Sequence, residues 1–136
     1  MQFLTKVFYF CAAHQYGHDD WSKEKNEAVF GDDAKVHGHN YTLEVTVKGS
    51  INPETGFIVD LGHLKEIVDN HVIKIMDHSQ IEKDIDWFKN KQPSSENMVM
   101  YIWEAIEKKI KRAKLHRVRL IETPTIKTGY YGLDCY

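Results

Sequence analysis

Residues 37–48 constrain the fold more than any other stretch, because apolar side chains recur there at every second position. Tyr41, Leu43, Val45 and Val47 alternate with polar residues. Alternation of period two is typical of a β-strand that buries only one of its faces. The stretch therefore predicts a half-buried strand over about 37–48.

Two histidines begin this strand. His37 and His39 are separated by one glycine, so both project from the apolar face. Neutral imidazole is a common zinc ligand, and two imidazoles on one face can share an ion. Hydrogen bonds to backbone carbonyls are the alternative for buried histidines. We favour zinc, with His37 and His39 as two of its ligands.

The third ligand must come from elsewhere. The apolar run at residues 7–13 predicts a strand over about 3–13, and this strand leads into His14. Among the other histidines, His14 is the best candidate because it lies where an ordered strand passes into a loop. Three histidines with an open fourth position are typical of a catalytic rather than a structural zinc.

Composition excludes several classes of protein. A length of 136 residues predicts a single domain over 1–136, and a net charge of −2 argues against a nucleic-acid partner. The sequence has no apolar run long enough to cross a membrane. The sequence contains only two cysteines, too few for a disulfide framework. This number predicts a cytoplasmic protein.

The remaining pattern predicts an α+β fold in the order ββααββ, with an antiparallel sheet and two helices on one face. Asp60 is a candidate N-cap for the first helix, and Ser94 or Ser95 for the second. The other expected segments are a loop at 15–36, a turn at 52–56, a short returning strand at 57–59, a first helix ending near 76–78, a loop at 82–92, a strand at 117–123 and a last strand within 127–132.

Glu122 is unusual because it shares the apolar face of its strand with Val118 and Leu120. An unpaired carboxylate is costly there. Its partner could be an arginine or a ligand with adjacent N–H donors, such as a pterin. The alternative is a strand end where backbone N–H groups or water satisfy the carboxylate.

Six short motifs follow one another along nearly the whole chain, at residues 10–14, 37–41, 56–61, 76–78, 93–97 and 122–125. Together they resemble the 6-pyruvoyltetrahydropterin synthase / 6-carboxytetrahydropterin synthase family. The resemblance implies a T-fold, the tunnelling fold, in which hairpins of neighbouring subunits join into a barrel. It further implies a homohexamer, a dimer of trimers, with active sites between subunits.

The resemblance also implies the chemistry. The family converts 7,8-dihydroneopterin triphosphate, eliminating triphosphate and remodelling the side chain to 6-carboxytetrahydropterin or 6-pyruvoyltetrahydropterin. The positions that match family site residues are His14, His37 and His39 as Zn²⁺ ligands, Glu122 as the pterin anchor, Ser95 and Glu96 as further pterin contacts, and Asp77 with His78 as a proton relay.

One position departs from the family pattern, in which a catalytic cysteine lies a few residues before the 37–41 motif, because no cysteine occurs within residues 15–36. Counting back from His37 places Asp33 where the catalytic cysteine is expected, with Asp32 and Glu27 as alternatives. Cys11 is a poor substitute, because it lies an odd number of positions from His14 and a regular strand should turn it to the opposite face. Cys135 lies at the terminus. Some relatives use a glutamate at this position, with an altered outcome at the side chain.

Two alternatives to the standard reaction therefore stay open. The chain could be a variant that cleaves the side chain to 6-hydroxymethyl-dihydropterin. It could also be a non-catalytic protein that binds zinc or a pterin.

Overall fold

A computed structural model describes residues 1–133 and shows a sheet in the order β3-β1-β2-β4-β5. Neighbouring strands are antiparallel, except that the short β3 pairs with β1 in parallel. The expected antiparallel sheet is thus present, with one added edge strand. The strands are β1 Gln2–His14, β2 His37–Gly49, β3 Ser79–Gln80, β4 Lys114–Thr123 and β5 Ile126–Tyr130.

Within residues 1–133, five α-helical segments accompany the sheet: α1 Lys23–Phe30, α2 Leu61–Val68, α3 Lys74–Met76, α4 Ile81–Asp84 and α5 Ser95–Ile106. A π-helical turn over Asp69–Ile73 joins α2 to α3. Both expected caps are confirmed, since Asp60 accepts from the Gly62 N–H at 2.9 Å and Ser94 accepts from the Asn97 N–H at 3.2 Å. Each such cap is worth about 1 kcal/mol.

The core lies between one face of the sheet and the helices. Alternate residues of the strands, such as Leu43 and Leu120, are fully buried, as are Leu64 of α2 and Ile102 of α5. The opposite face of β1 exposes the large apolar side chains Phe3, Val7 and Tyr9. The part of the chain that the structure describes therefore leaves this face of β1 uncovered.

The expected loop at 15–36 is wrong in one respect, because it contains α1 and a 3₁₀ turn at Gly31–Ala34. No side chain of α1 is buried, so the helix leaves no apolar periodicity in the sequence. Its signals are local: Ser22 accepts from the Lys25 N–H as N-cap, and Gly31 adopts a φ of 62° at the other end.

Two further expectations need correction. Residues 57–59 form no strand; Ile58 and Val59 are buried but have no ladder partner in the described sheet. Their apolar character reflects packing, since the Ile58 side chain lies close to Gly49 at the end of β2. The expected loop at 82–92 contains most of α4 and a 3₁₀ turn at Asp86–Phe88.

None of the helices within residues 1–133 combines the length and the apolar character that a membrane span requires. The expected cytoplasmic location stays a prediction. Cys135 lies outside the described residues.

Candidate metal centre and adjoining cleft

The pairing of β1 with β2 brings the three histidines together. His14 lies directly opposite His37, and Ala12 lies opposite His39. One ligand atom from each histidine lies within 4.8 Å of the other two, and His14 is only 1% exposed. A Cβ on the intervening Gly38 would lie 3.1 Å from the Ala12 carbonyl oxygen, so the close approach of the strands favours glycine.

Backbone carbonyls determine which ring nitrogen of two histidines is free. Nδ1 of His14 lies 2.8 Å from the Pro93 carbonyl oxygen, and Nδ1 of His37 lies 2.8 Å from that of Lys35. A carbonyl can only accept, so each Nδ1 carries the proton and each Nε2 presents a lone pair. The two Nε2 atoms lie 2.9 Å apart. Two facing lone pairs repel unless a proton or a metal ion lies between them, and with His39 close to both rings the arrangement fits a divalent metal ion.

The surroundings of His14 keep its ring neutral. Burial lowers the pKa of His14 below its ordinary value; the Pro93 carbonyl opposes this shift, and His37 adds to it. A neutral imidazole is the form that binds metal. His39 completes the cluster with its ring nearly perpendicular to those of His14 and His37.

Glu122 lies beside the N-terminus of α5. The buried Ser95 hydroxyl donates to Glu122 Oε1 at 3.2 Å, and Glu96 follows on the exposed side of the helix. Among residues 1–133, the side chain that pairs with Glu122 is thus a hydroxyl rather than an arginine. The positive end of the helix dipole adds to the stabilisation of this carboxylate.

Two tyrosines that sequence reasoning did not single out also lie here. The Tyr16 ring is 5.1 Å from that of His14, and the Tyr41 ring is 5.6 Å from that of His39. Burial raises the pKa of both phenols, and the Glu122 carboxylate raises it further. Tyr41 could have been found from the alternation of β2, because it follows His39 on the same face, whereas Tyr16 has no comparable signal.

Asp33 lies next to the cluster. Its Oδ1 is 3.6 Å from Nε2 of His37, whereas Asp32 and Glu27 are near exposed lysines at 3.9 and 4.0 Å. Cys11 is exposed on the face opposite His14. Of the candidates for the position of the missing cysteine, Asp33 is therefore the one placed against a metal-binding side chain.

Asp77 and His78 lie at the edge of β1. Asp77 accepts from the Cys11 N–H at 2.8 Å and contacts Nδ1 of His78 at 3.0 Å. The Cys11 N–H lowers the pKa of Asp77, and the His78 ring contributes. The His78 side chain is 81% exposed, and its φ of 62° is unusual for a residue other than glycine. No contact within residues 1–133 joins this pair to the three histidines.

A cavity of about 1100 Å³ adjoins the cluster. Residues from three segments line it: 15–27, 34–36 and 82–93. Tyr16 and Pro93 connect it to the metal centre, since the first packs against His14 and the second accepts its hydrogen bond. The cationic side chains around it are Lys23, Lys35, Lys83, Lys89 and Lys91.

Comparison with known proteins identifies the family to which this chain belongs. The family model described as 6-pyruvoyl tetrahydropterin synthase matches residues 3–132. The 6-pyruvoyl tetrahydrobiopterin synthase of Drosophila melanogaster is 36% identical over 133 residues, covering 96% of this chain and 79% of the relative. The dihydroneopterin monophosphate aldolase of Pyrococcus furiosus is 33% identical over 114 residues, covering 83% and 82%. The structure of Caenorhabditis elegans 6-pyruvoyl tetrahydropterin synthase superposes with a TM-score of 0.89 at 30% identity, covering 97% and 96%.

Fold, site and comparisons together define a pterin-metabolising enzyme. The chain belongs to the 6-pyruvoyl tetrahydropterin synthase family and is a lyase of the 6-pyruvoyl- or 6-carboxytetrahydropterin synthase type. The resemblance found in the sequence is thereby confirmed, and so is the α+β fold of this family.

The histidine geometry predicts one divalent metal ion per chain. His14→Ala and His37→Ala should each reduce bound metal to a small fraction of the wild-type amount, because either change removes an oriented Nε2 ligand. Elemental analysis after dialysis measures this. His71→Ala, which alters a histidine outside the cluster, is the matched control and should retain the metal. Full metal content in both cluster variants would contradict the assignment.

Proposed function

We propose that the protein is a zinc-dependent lyase that eliminates triphosphate from 7,8-dihydroneopterin triphosphate and remodels the side chain to 6-carboxytetrahydropterin or 6-pyruvoyltetrahydropterin. The observation that carries the proposal is the pair of oriented Nε2 atoms of His14 and His37, 2.9 Å apart, close to Glu122. Zinc suits three imidazole ligands, and when bound it supplies a Lewis acid that acidifies side-chain hydroxyls of the substrate.

Glu122 anchors the pterin ring in this proposal. A carboxylate accepts two adjacent N–H groups in a bidentate manner, and the 2-amino group and a ring N–H of a pterin present such a pair. The buried Ser95 donates a hydrogen bond to Oε1 of Glu122. Glu96, on the exposed side of the helix, is a further pterin contact in this proposal. The ring is thereby oriented with its side chain towards the histidines.

Asp33 removes a proton from the substrate side chain, in place of the family cysteine. Its carboxylate is 61% exposed in the single chain but already lies against His37. Asp77 orients His78 by binding Nδ1, which leaves Nε2 of His78 to exchange a proton with the substrate. Proton transfer is thus divided between two groups that one chain does not bring together.

The cavity beside the metal centre accommodates the triphosphate in this proposal. Its five lysines outnumber its four carboxylates, which are Asp19, Asp20, Glu27 and Glu82, by one. It adjoins the metal centre, and its cationic side chains come from three separate segments. Lys23 and Lys35 form only long ion pairs with nearby carboxylates, at about 4 Å. Both ammonium groups are therefore able to pair with a bound phosphate instead. Arg117 and Arg119 are less suitable, because both pair with Glu44.

A homohexamer with active sites between subunits completes the proposal. The uncovered face of β1 with Phe3 and Tyr9 is apolar enough to require burial. The two-residue β3 leaves most of one edge of β1 unpaired, and such edges commonly pair with other chains. The exposed His78 is then available to the site of a neighbouring subunit.

A second product is supported by a specific observation. Asp33 lies where the family cysteine is expected, and one relative is the Pyrococcus furiosus aldolase. A carboxylate base in this position could direct the reaction to cleavage, giving 6-hydroxymethyl-dihydropterin. A non-catalytic zinc or pterin-binding role is the remaining alternative.

Product identification tests the function. Zinc-loaded protein is incubated with 7,8-dihydroneopterin triphosphate, and the pterin product is identified by mass spectrometry. We expect release of triphosphate with a carboxy- or pyruvoyl-tetrahydropterin. A hydroxymethyl product would support the aldolase-like alternative, and pterin binding without turnover would contradict an enzymatic role.

Replacing Asp33 tests the identity of the base. Asp33→Asn should reduce turnover by a factor on the order of 10²–10⁴ because the base is removed at nearly constant size, while zinc content stays unchanged. Glu27→Gln is the matched control and should turn over like the wild type. If Asp33→Asn retains full turnover, Asp33 is only a loop residue; if Glu27→Gln is inactive instead, Glu27 is the base.

Mixing two inactive variants tests whether His78 acts across a subunit interface. Asp33→Asn and His78→Ala should each be inactive alone. In oligomers reassembled from equal amounts of both, about a quarter of the sites combine an intact Asp33 from one chain with an intact His78 from another, given random association. We expect activity to recover to that level. No recovery in verified mixed oligomers would contradict sites shared between subunits.

A further inference from the structure

The hydroxyl of Tyr41 is a polar group that the fold itself does not explain. Tyr41 is 1% exposed, and its hydroxyl has no hydrogen-bonding partner among the described residues. The ring is well packed, stacking on Phe10 at 5.0 Å between centroids. A phenylalanine would satisfy this packing equally well, since a buried hydroxyl without a partner reduces stability.

Tyr41 lies close both to the histidines of the candidate metal centre and to Glu122. It follows His39 on the same face of β2, and it lies one residue beyond the Thr42–Ile121 pair, which places it across from Glu122. Its ring centroid is 5.6 Å from that of His39 and 6.4 Å from that of His14. Tyr41 therefore lies between the three histidines and the Glu122 carboxylate on β4.

We propose that the Tyr41 hydroxyl donates a hydrogen bond to the ring of the bound pterin and so positions the ring between Glu122 and the metal centre. The inference rests on the proposed function, since it assumes that a pterin binds beside Glu122. Unprotonated ring nitrogens and the ring carbonyl are suitable acceptors. Because the hydroxyl gives up no protein partner when the ligand arrives, the new hydrogen bond contributes fully to affinity.

The competing explanation is a buried water that satisfies the hydroxyl in the free protein. In that case the hydroxyl supports the fold, and its removal should reduce stability without affecting the ligand. On removal of the hydroxyl, our proposal predicts weaker ligand binding without loss of stability. The water explanation predicts lower stability with unchanged ligand binding.

Tyr41→Phe is the test, because it removes one oxygen and keeps the stacked ring. Dissociation constants for neopterin and for bare pterin are measured by fluorescence titration of zinc-loaded and chelator-treated protein. We expect both ligands to bind about tenfold more weakly, the scale of one lost hydrogen bond. Metal content should not change, and the thermal unfolding midpoint should stay the same or rise. Tyr101→Phe, a half-buried tyrosine that packs against Trp87 and Phe88, is the control and should bind normally.

Three outcomes would overturn the inference. Affinities within twofold of the wild type would show that the hydroxyl does not contact the ligand, and a lower unfolding midpoint with normal affinity would assign it to the fold. Weaker binding of neopterin with unchanged binding of bare pterin would place the contact on the side chain rather than the ring. If the wild type binds neither ligand, the proposed function itself fails, which distinguishes that failure from the failure of the Tyr41 contact alone.

Discussion

The register of β1 against β2 is the constraint on which the site depends. The strands pair over 13 positions, from Gln2 opposite Gly49 to His14 opposite His37. A slip of one residue would turn every side chain to the other face, which would expose the core residues Phe8 and Phe10 and separate the histidines. The free energy of burying the apolar face therefore also holds the three histidines in place. The candidate metal site needs no separate scaffold in this protein.

The segment leading into α5 connects the candidate metal centre to Glu122, the proposed pterin anchor. Pro93 accepts the hydrogen bond that orients His14, and two residues later Ser95 donates to Glu122. Ser94, between them, caps the helix. Because the same short segment begins a helix whose apolar stripe is buried in the core, the positions of both His14 and Glu122 depend on how α5 packs. In the proposed site, a change in the packing of α5 would thus affect both the metal centre and the pterin contact.

The departure at position 33 is small in space but large in chemistry. Asp33 lies against His37, at the position where the resemblance implies a cysteine, so in the proposed site a carboxylate replaces a thiol. A thiolate is a stronger base and nucleophile than an ordinary carboxylate. In the proposed hexamer, the surroundings of Asp33 would therefore decide how strong a base it is, and thereby which bond of the substrate side chain breaks.

Sequence alone determined whatever depends on local periodicity or local capping. The alternation at 37–48 placed His37, His39 and the strand correctly, and the caps at Asp60 and Ser94 followed from residue type. It failed where an element has no buried face, as in α1, and where apolar residues pack without pairing, as at Ile58. Only the tertiary structure decided which ring nitrogen of His14 is free and that the Ser95 hydroxyl donates to Glu122. Each of these depends on atoms brought together from distant parts of the chain, and no spacing along the sequence encodes a distance between them.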